Sequence, residues 1–577
     1  MTSVSNLHSL RLQLMWGRLI SVVEEQALAL VRTGFSAATR EAGDLSAGIF
    51  DLTGNMLAQA VTGTPGHVNA MARSVGHFLK KFPDMADGDV FLTNDPWLGT
   101  GHLHDFTFVT PAFVDGTMVG LFASTCHVVD IGGRGLTADA KQVFEEGVLV
   151  PLMRFAVAGE VNSTLMDIIE SNVREPIQVI GDFYSLAACN EIGCKRLRDM
   201  MREFGIQSLD ELGRYITSSS RRAMLDEIRR IPAGSYTSSM LVDGYEKPIK
   251  LVATTTVDGE GISIDFTGTS ESSGQGINVP LCYTEAYASF AVKCIVAPDL
   301  PNNEGTLALV RVSAPDDCIL NARRPAPVAA RHITGQMVPN VVFGCLDQAL
   351  PNRVPAEGTS CLWNLSLRGG KGRVETGTMV SDDAIAFEIL SFHSGGTGGR
   401  PANDGLSATA FPSGVRTVPA EVTELMAPVV IWRKELREDS GGPGEFRGGL
   451  GQVMEVGTLD TNAFAISAFF DRIENPPRGR SGGLAGMPGQ IRLASGHKLR
   501  GKGVQTVAPT DHVVLGMPGG GGLGDPHLCP AASVQQDVRM GLVSRDSALK
   551  HYGVALDALG EIDEKQTLEL RCKTTTS

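Results

Sequence analysis

Apolar residues recur at helical spacing in the first part of the chain. Residues 7–32 contain no proline, and their apolar positions fall on one face: Leu12, Met15, Trp16, Leu19, Ile20 and Val23. This spacing predicts a long helix with one buried face. Residues 67–82 repeat the pattern and predict a second helix, with Val68, Met71, Val75 and Leu79 on its apolar face.

Two other segments place apolar runs on both sides of a short turn sequence. In residues 43–58 the runs flank Asp51-Leu-Thr-Gly-Asn55, and in residues 106–124 they flank Asp115-Gly116. Apolar runs around such turns predict β-hairpins. A hairpin returns the chain beside its start, so we expect residues near 102–105 and near 127 to lie close together.

Helical and strand patterns alternate without a regular order over the rest of the chain. Helices are predicted over residues 164–172, 177–196, 208–230 and 284–296, and Ser208 and Glu211 have capping-box spacing. Strands are predicted within residues 89–93, 234–266, 307–312, 463–470 and 512–515. This mixture predicts an α+β (irregular mixed α/β) fold, a multi-lobed single body with antiparallel hairpins and helices around a metal site. We expect lobes over residues 1–205 (helical and metal-site), 206–335 (central α+β) and 336–577 (Gly-rich α/β).

Composition narrows the class of partner. The 577 residues carry a net charge of −14, with 42% hydrophobic and 20% charged residues. An acidic chain without a large basic cluster is not expected to bind nucleic acid. No apolar run of 18 residues suggests a membrane span, no secretion signal is recognised, and ten scattered cysteines lack Cys-x-x-Cys spacing. We therefore expect a cytoplasmic protein.

Glycine is frequent and clustered. Several of the 67 glycines fall in residues 395–399, 441–451 and 516–524. The run Gly516–Asp525 resembles a phosphate-binding loop, but no Lys-Ser or Lys-Thr follows it and Pro526 disfavours an immediate helix. We expect these clusters to form turns and tight loops that shape a lobe, line an interface or line a site.

The candidate chemistry is concentrated between Gly99 and Gly133. His102, His104 and Asp105 precede the second predicted hairpin, and His127 and Asp130 follow it. Imidazole and carboxylate groups are ligands for divalent metals such as zinc or manganese. The hairpin therefore predicts a three-ligand site from His102, Asp105 and His127, with ordinary buried or surface histidines as the alternative.

Two further acids have weaker local signals. Asp44 opens the first predicted hairpin, where a turn or cap role is more usual than metal ligation. Glu146 could act as a general base, although an isolated glutamate is more often a solvated charge.

Eight segments together resemble one known family, the hydantoinase B/oxoprolinase beta family. They are Gly101–Asp105, Cys126–Gly133, Glu146–Pro151, Asn172–Pro176, Asp265–Thr269, Arg324–Val328, Gly441–Gly451 and Pro518–Pro526. The resemblance extends from about residue 8 to residue 556. It implies a subunit that works with a larger hydantoinase A-type ATPase, which binds ATP and Mg and phosphorylates the carbonyl of a small cyclic amide.

The resemblance also implies roles for individual residues. Asp44, His102, Asp105 and His127 match the family's metal ligands, with zinc or manganese expected, and His104 is left outside that set. Asp130 is expected to orient a metal-binding imidazole, and Glu146 or a nearby acid to handle protons. The implied activity is ATP-dependent hydrolysis of hydantoin, 5-oxoproline or lactam rings. The alternatives are a subunit of an ATP-dependent ketone carboxylase, of the acetone or acetophenone type, and a non-catalytic structural subunit.

Overall fold

The fold mixes helices with several small sheets. The computed structural model describes residues 2–61, 64–371, 373–374, 380–381, 383–459 and 462–573. The helices are α1 Thr2–Thr33, α2 Pro65–Lys81, α3 Ser163–Asn172, α4 Pro176–Phe204, α5 Asp210–Ile228, α6 Leu281–Val296, α7 Glu304–Leu307, α8 His332–Gly335, α9 Val338–Ala349, α10 Ala420–Met426, α11 Ala531–Arg539, α12 Arg545–Tyr552 and α13 Glu564–Lys573.

The strands are short and are distributed along the chain. They are β1 Leu45–Phe50, β2 Met56–Gln59, β3 Val90–Thr93, β4 Asp105–Val114, β5 Thr117–His127, β6 Met153–Val157, β7 Glu160–Val161, β8 Gly234–Val242, β9 Ile249–Val257, β10 Ile262–Asp265, β11 Val310–Ser313, β12 Leu365–Gly369, β13 Phe387–Ser391, β14 Val429–Leu436, β15 Gln452–Thr458, β16 Phe464–Phe469, β17 Gln490–Leu493, β18 Lys502–Val507 and β19 Val513–Gly516. The predicted α+β class is confirmed.

Contacts divide the chain into two units. The first comprises Met1–Ser239, Leu251–Cys345 and Pro412–Val415, and the second comprises Met240–Lys250, Leu346–Phe411 and Arg416–Ser577. The three predicted lobes stay a prediction, because these contacts do not divide either unit further. Among the described residues, no helix combines the length and apolar character needed to cross a bilayer.

The first unit is built on a seven-stranded sheet with both faces covered. Its strand order is β2-β1-β5-β4-β3-β6-β7. Phe106, Phe108 and Phe122 pack into the core that contains α1 and α4, whereas Val109 and Leu121 pack into the core that contains α2. Because successive side chains of a strand point to opposite faces, β4 and β5 contribute to both cores and are almost entirely buried.

The helix that the capping-box spacing predicted begins slightly later than expected. The Ser208 hydroxyl oxygen accepts a hydrogen bond from the Asp210 amide at 3.0 Å, and Leu209 occupies the N-cap position of α5 without a side-chain cap. The expected reciprocal box with Glu211 is therefore wrong, because Ser208 closes a local turn before the helix.

The second unit contains two four-stranded sheets and a backbone-packed glycine core. The sheet orders are β13-β12-β16-β18 and β14-β15-β19-β17. Gly442 donates to the carbonyl of Gly520 at 2.8 Å, and Gly520 donates to that of Gly449 at 2.9 Å. A Cβ atom on Gly520 would lie 1.9 Å from the carbonyl oxygen of Thr397. These glycines let separate chain segments pack backbone to backbone, which local sequence reasoning interpreted as loops.

Candidate metal centre

Three neighbouring strands bring the predicted residues together at one end of the large sheet, where these strands begin or end. The predicted hairpin forms, with Asp115 and Gly116 at φ of 48° and 78° in its turn, as a type I′ turn requires. Within the hairpin, Asp105 lies directly opposite His127. On the other side of β5, the His127 amide donates to the Asp44 carbonyl at 3.2 Å. The expectation that the hairpin brings His127 back to Asp105 is confirmed.

Asp105 is the centre of the cluster and is fully buried. Its Oδ1 lies 2.7 Å from Nε2 of His102 and 3.0 Å from Nδ1 of His127. Its Oδ2 lies 2.8 Å from Nε2 of His67 and accepts from the Thr100 hydroxyl at 3.0 Å. Burial alone would raise the pKa of Asp105, but its interactions with His102, His67 and Arg331 outweigh burial and hold that pKa well below its ordinary value. The carboxyl group is therefore a carboxylate.

The two predicted imidazole ligands present lone pairs to the centre. Nδ1 of His102 lies 2.9 Å from the carbonyl oxygen of Ala329, so it carries the proton because a carbonyl can only accept. Nδ1 of His127 faces the carboxylate of Asp105 in the same way. Nε2 of His127 makes no hydrogen bond within the described residues, and Nε2 of His102 makes none either, although it lies 2.7 Å from Oδ1 of Asp105. This is the tautomer that metal-bound histidines adopt.

The donor set fits a divalent cation. His102, Asp105 and His127 each offer one ligand atom, and these atoms lie within 4.8 Å of one another. In the neutral ring, the lone pair on Nε2 of His102 faces a carboxylate oxygen at 2.7 Å, a repulsion that a cation bound between these two atoms would relieve. Burial and the Arg331 charge lower the pKa of His102 to about 4, so a proton does not supply that cation at neutral pH.

Asp44 lies beside this group and not within it. Its Oδ1 accepts from the Thr64 hydroxyl at 2.7 Å and lies 3.7 Å from Nδ1 of His67. His67 therefore stands between the carboxylates of Asp44 and Asp105. Burial lowers the pKa of His67, but the two carboxylates raise it more, and the net shift is upward. Ligation by Asp44 stays a prediction.

His104 is a third imidazole in the cluster. Its ring centroid lies 5.2 Å from that of His127, in a stacked arrangement, and 5.5 Å from that of His102. The side chain is fully buried, and neither ring nitrogen has a hydrogen-bond partner among the described residues. Burial and the two neighbouring histidines lower the pKa of His104 well below its ordinary value, so the ring is neutral.

The two predicted catalytic acids lie further out. Glu146 follows a short 3₁₀ turn, Val143–Glu145, and its Oε1 accepts from the amides of Val328 and Ala329 at 2.5 and 2.8 Å. Its Oε2 is buried without a hydrogen-bond partner. Burial raises the pKa of Glu146 to about 8, despite the two amide donors. The alternative of a solvated charge is wrong, because only 1% of this residue is exposed.

Asp130 does not make the contact that was expected of it. Its Oδ1 accepts from the Gly132 amide at 3.0 Å, and both of its oxygens are bound by Arg174, through the guanidinium and the backbone amide. No imidazole is among its hydrogen-bond partners in the described part of the chain. Asp130 lies in the loop that follows His127, and its contacts with Gly132 and Arg174 hold this loop in place.

Comparison with known proteins identifies the family. The family model described as hydantoinase B/oxoprolinase matches residues 8–526. The chain belongs to this family. It is 28% identical to the B-type subunit of a putative D-/L-hydantoinase from Pseudomonas sp. (strain NS671), over 99% of each chain. Members of the family thus share nearly the whole length of this chain.

Two solved structures share the fold of this family member. The ATP-dependent caprolactamase of Pseudomonas jessenii matches with a TM-score of 0.86 and 25% identity, over 97% of this chain and 99% of that one. A nucleotide-free acetone carboxylase matches with a TM-score of 0.85, over 98% of this chain and 83% of that one. At 18% identity, the carboxylase match shows the fold alone.

Two residues of the cluster escaped sequence reasoning. His67 immediately precedes the first residue of the apolar face of α2, so the sequence indicated only that a helix begins there. Arg331 is 2% exposed; its Nε donates to the Thr100 carbonyl at 2.7 Å, and its guanidinium pairs with Asp105 and lies 4.0 Å from the Tyr283 ring centroid. The only sequence signal was a lone arginine after the small apolar run Val328-Ala-Ala330.

Proposed function

We propose that this chain is the metal-containing B (beta) subunit of an ATP-dependent cyclic amidase. The substrate is a hydantoin, 5-oxoproline or lactam ring that a hydantoinase A-type partner first phosphorylates. The buried group of His102, Asp105 and His127 carries this proposal, because it is a metal-binding donor set at one end of the large sheet. Relatives over the full length, named as a hydantoinase and a caprolactamase, support the substrate class.

The chemistry explains why two subunits are needed. An unstrained amide resists attack because resonance stabilises its carbonyl, and phosphorylation of the oxygen turns it into a leaving group. A divalent ion, zinc or manganese, would be held by Asp44, His102, Asp105 and His127, and would lower the pKa of a bound water from about 15.7 towards 7. The hydrogen bonds at Nδ1 of His102 and His127 keep both Nε2 atoms available for that ion.

Four other residues, two of them predicted from the sequence, act around this centre. Arg331 and His67 balance the charge of Asp105 within a buried environment. Glu146 is protonated at neutral pH because burial raises its pKa to about 8, so it can hold or release a proton at its unpaired Oε2. Asp130 keeps the loop after His127 in place through Arg174.

ATP and Mg are assigned to the partner. The glycine run at residues 516–524 is packed against backbone: a Cβ on Gly519 would lie 1.9 Å from the Ser440 carbonyl oxygen. Such a run has no room to cradle a phosphate. Two relatives are named as one of several subunits, in a hydantoinase and in a caprolactamase, which supports a separate partner chain. We place the assembly in the cytoplasm.

An activity panel tests this function. The chain is co-purified with its ATPase partner, and ADP release is measured with N-methylhydantoin, 5-oxoproline and simple lactams without bicarbonate. Acetone and acetophenone with bicarbonate form the second arm, because the acetone carboxylase shares the fold. ADP release with a matching ring-opened product supports the amidase.

Two other outcomes contradict the amidase. ADP release only with a ketone and bicarbonate identifies a carboxylase subunit. A complex that binds no metal and keeps full turnover after His127→Ala identifies a structural subunit.

A further inference from the structure

Glu146 is separated from the candidate ligands by a single turn of backbone. Its Oε1 accepts from the amides of Val328 and Ala329. The same Ala329 presents its carbonyl oxygen to Nδ1 of His102 at 2.9 Å. Ala329 therefore contacts both residues: its amide donates to the carboxyl group of Glu146, and its carbonyl faces the imidazole of His102.

The turn also determines where Arg331 lies. The Arg331 amide donates to the carbonyl of Val328 at 3.0 Å, which closes the turn over residues 328–331. The guanidinium then reaches the carbonyl of Thr100 and the carboxylate of Asp105. Both His102 and Asp105 are therefore oriented from this turn, which lies more than 220 residues away in the sequence.

Glu146 itself is held firmly on the opposite side. Its amide donates to the Val143 carbonyl at 3.1 Å, and the Val148 amide donates to the Ile131 carbonyl at 2.9 Å. Between them, Gly147 has a φ of 147°, and a Cβ there would lie 2.4 Å from the Ile131 carbonyl oxygen. The backbone of Glu146 is thus packed against the loop that follows His127, which fixes the position from which its side chain extends.

We propose that Glu146 is a positioning residue for the metal centre. Its Oε1 holds the Val328–Arg331 turn so that Ala329 fixes the tautomer and direction of His102 while Arg331 fixes Asp105. This inference rests on the proposed function and adds to it a role that does not require Glu146 to transfer a proton. Partners that orient a metal-binding imidazole commonly change metal affinity by about 10–100-fold when they are removed.

The proposed role needs an acceptor oxygen and not a charge. A glutamine at position 146 keeps a carbonyl oxygen that can accept from both amides. A methionine fills a similar volume and offers no comparable acceptor. Glu145 provides a matched control, because it is adjacent in sequence and its partly exposed carboxylate pairs with Arg134.

The test measures Zn²⁺ affinity of the co-purified, nucleotide-free complex by competition with a chromophoric chelator. Variants are Glu146→Gln, Glu146→Met and the control Glu145→Gln, with thermal unfolding to verify folding. We expect Glu146→Met to weaken Zn²⁺ binding by at least 10-fold, and Glu146→Gln and Glu145→Gln to stay within about threefold of wild type.

Each arm has an outcome that overturns the inference. Wild-type affinity in Glu146→Met, or a loss in Glu146→Gln as large as in Glu146→Met, contradicts the positioning role. If Glu146→Met fails to fold, Glu146→Gln still tests the inference, because a large loss of Zn²⁺ affinity in this variant would contradict it. A wild-type complex without Zn²⁺ affinity contradicts the proposed function and this inference together. If wild type binds Zn²⁺ and both Glu146 variants bind it equally well, only this inference is contradicted.

Discussion

Replacing Asp105 with asparagine separates the two tasks of the buried carboxylate, which are to bind a cation and to neutralise Arg331. The Arg331 side chain is 3% exposed and its guanidinium pairs with Oδ2 of Asp105. Asparagine has the same shape, but it leaves the guanidinium without an anionic partner. Removing one member of a buried ion pair costs about 3–5 kcal/mol, since the other charge stays desolvated. We expect Asp105→Asn to lose this much stability even without metal.

The size of the effect can be measured as a melting temperature. At about 2 °C per kcal/mol for a large domain, the metal-free variant should unfold roughly 6–10 °C below wild type in the presence of a chelator. Zinc should raise the Tm of wild type and not that of Asp105→Asn. Both Tm values are read by scanning calorimetry of the same preparation, before and after zinc is added.

A second substitution distinguishes charge from ligation. Arg331→Met in the Asp105→Asn background removes the unpaired cation, so most of the lost stability should return. The zinc-dependent rise should stay absent, because the carboxylate is still missing. A metal-free Asp105→Asn protein that melts with wild type, or a double variant that regains the response to zinc, would refute this reasoning.

Three further predictions follow from other parts of the chain. In the folded protein the pKa of Glu146 is about 8, against an ordinary value of 4.5, so the side chain keeps its proton over this range. Stability therefore falls as pH rises from about 4.5 to 8, by at most about 5 kcal/mol at 1.4 kcal/mol per pH unit. With chelator present, the Tm of Glu146→Gln should exceed that of wild type by an amount that grows between pH 5 and 8.5; a constant difference argues against the buried acid. His104→Ala should weaken zinc binding less than His127→Ala, because His104 lies outside the three-residue ligand group; chelator competition ranks the two, and the reverse order would place His104 among the ligands. Gly520→Ala should cost more than about 4 kcal/mol, since its Cβ would lie 1.9 Å from a backbone oxygen, whereas Gly17→Ala, within α1 and with no atom near its Cβ, should stabilise by up to about 1 kcal/mol. Equal melting temperatures for these two glycine variants would contradict the packing argument.

The part of the site that sequence could predict is the part that local structure determines. The Asp115-Gly116 turn closes the β4–β5 hairpin and so returns the chain to the neighbourhood of Asp105. A bulge between Ala112 and Phe113 shifts the register by one residue, which places Asp105 directly opposite His127. His102 follows because it stands three residues before Asp105. Local periodicity likewise predicted α1 and α2, whose bounds differ from the expectation only at their ends.

The rest depends on contacts between distant segments. His67 and Arg331 reach Asp105 from 38 residues before it and 226 residues after it, and no local pattern specifies such pairings. The family resemblance implied that Asp130 orients a metal-binding imidazole, but Arg174 binds it instead. The glycine clusters were interpreted as loops, since their backbone partners lie in segments far apart along the chain.

The most direct test of the central claim separates phosphorylation from ring opening. Wild-type and His127→Ala complexes with the ATPase partner are supplied with ATP and a cyclic amide that wild type hydrolyses, and ADP and ring-opened product are quantified together. We predict one product per ADP for wild type. For His127→Ala we predict at least a 100-fold loss of ring opening, with ADP release now exceeding product formation. Ring opening at the wild-type rate by His127→Ala, in step with ADP, would contradict a metal-dependent second step in this subunit.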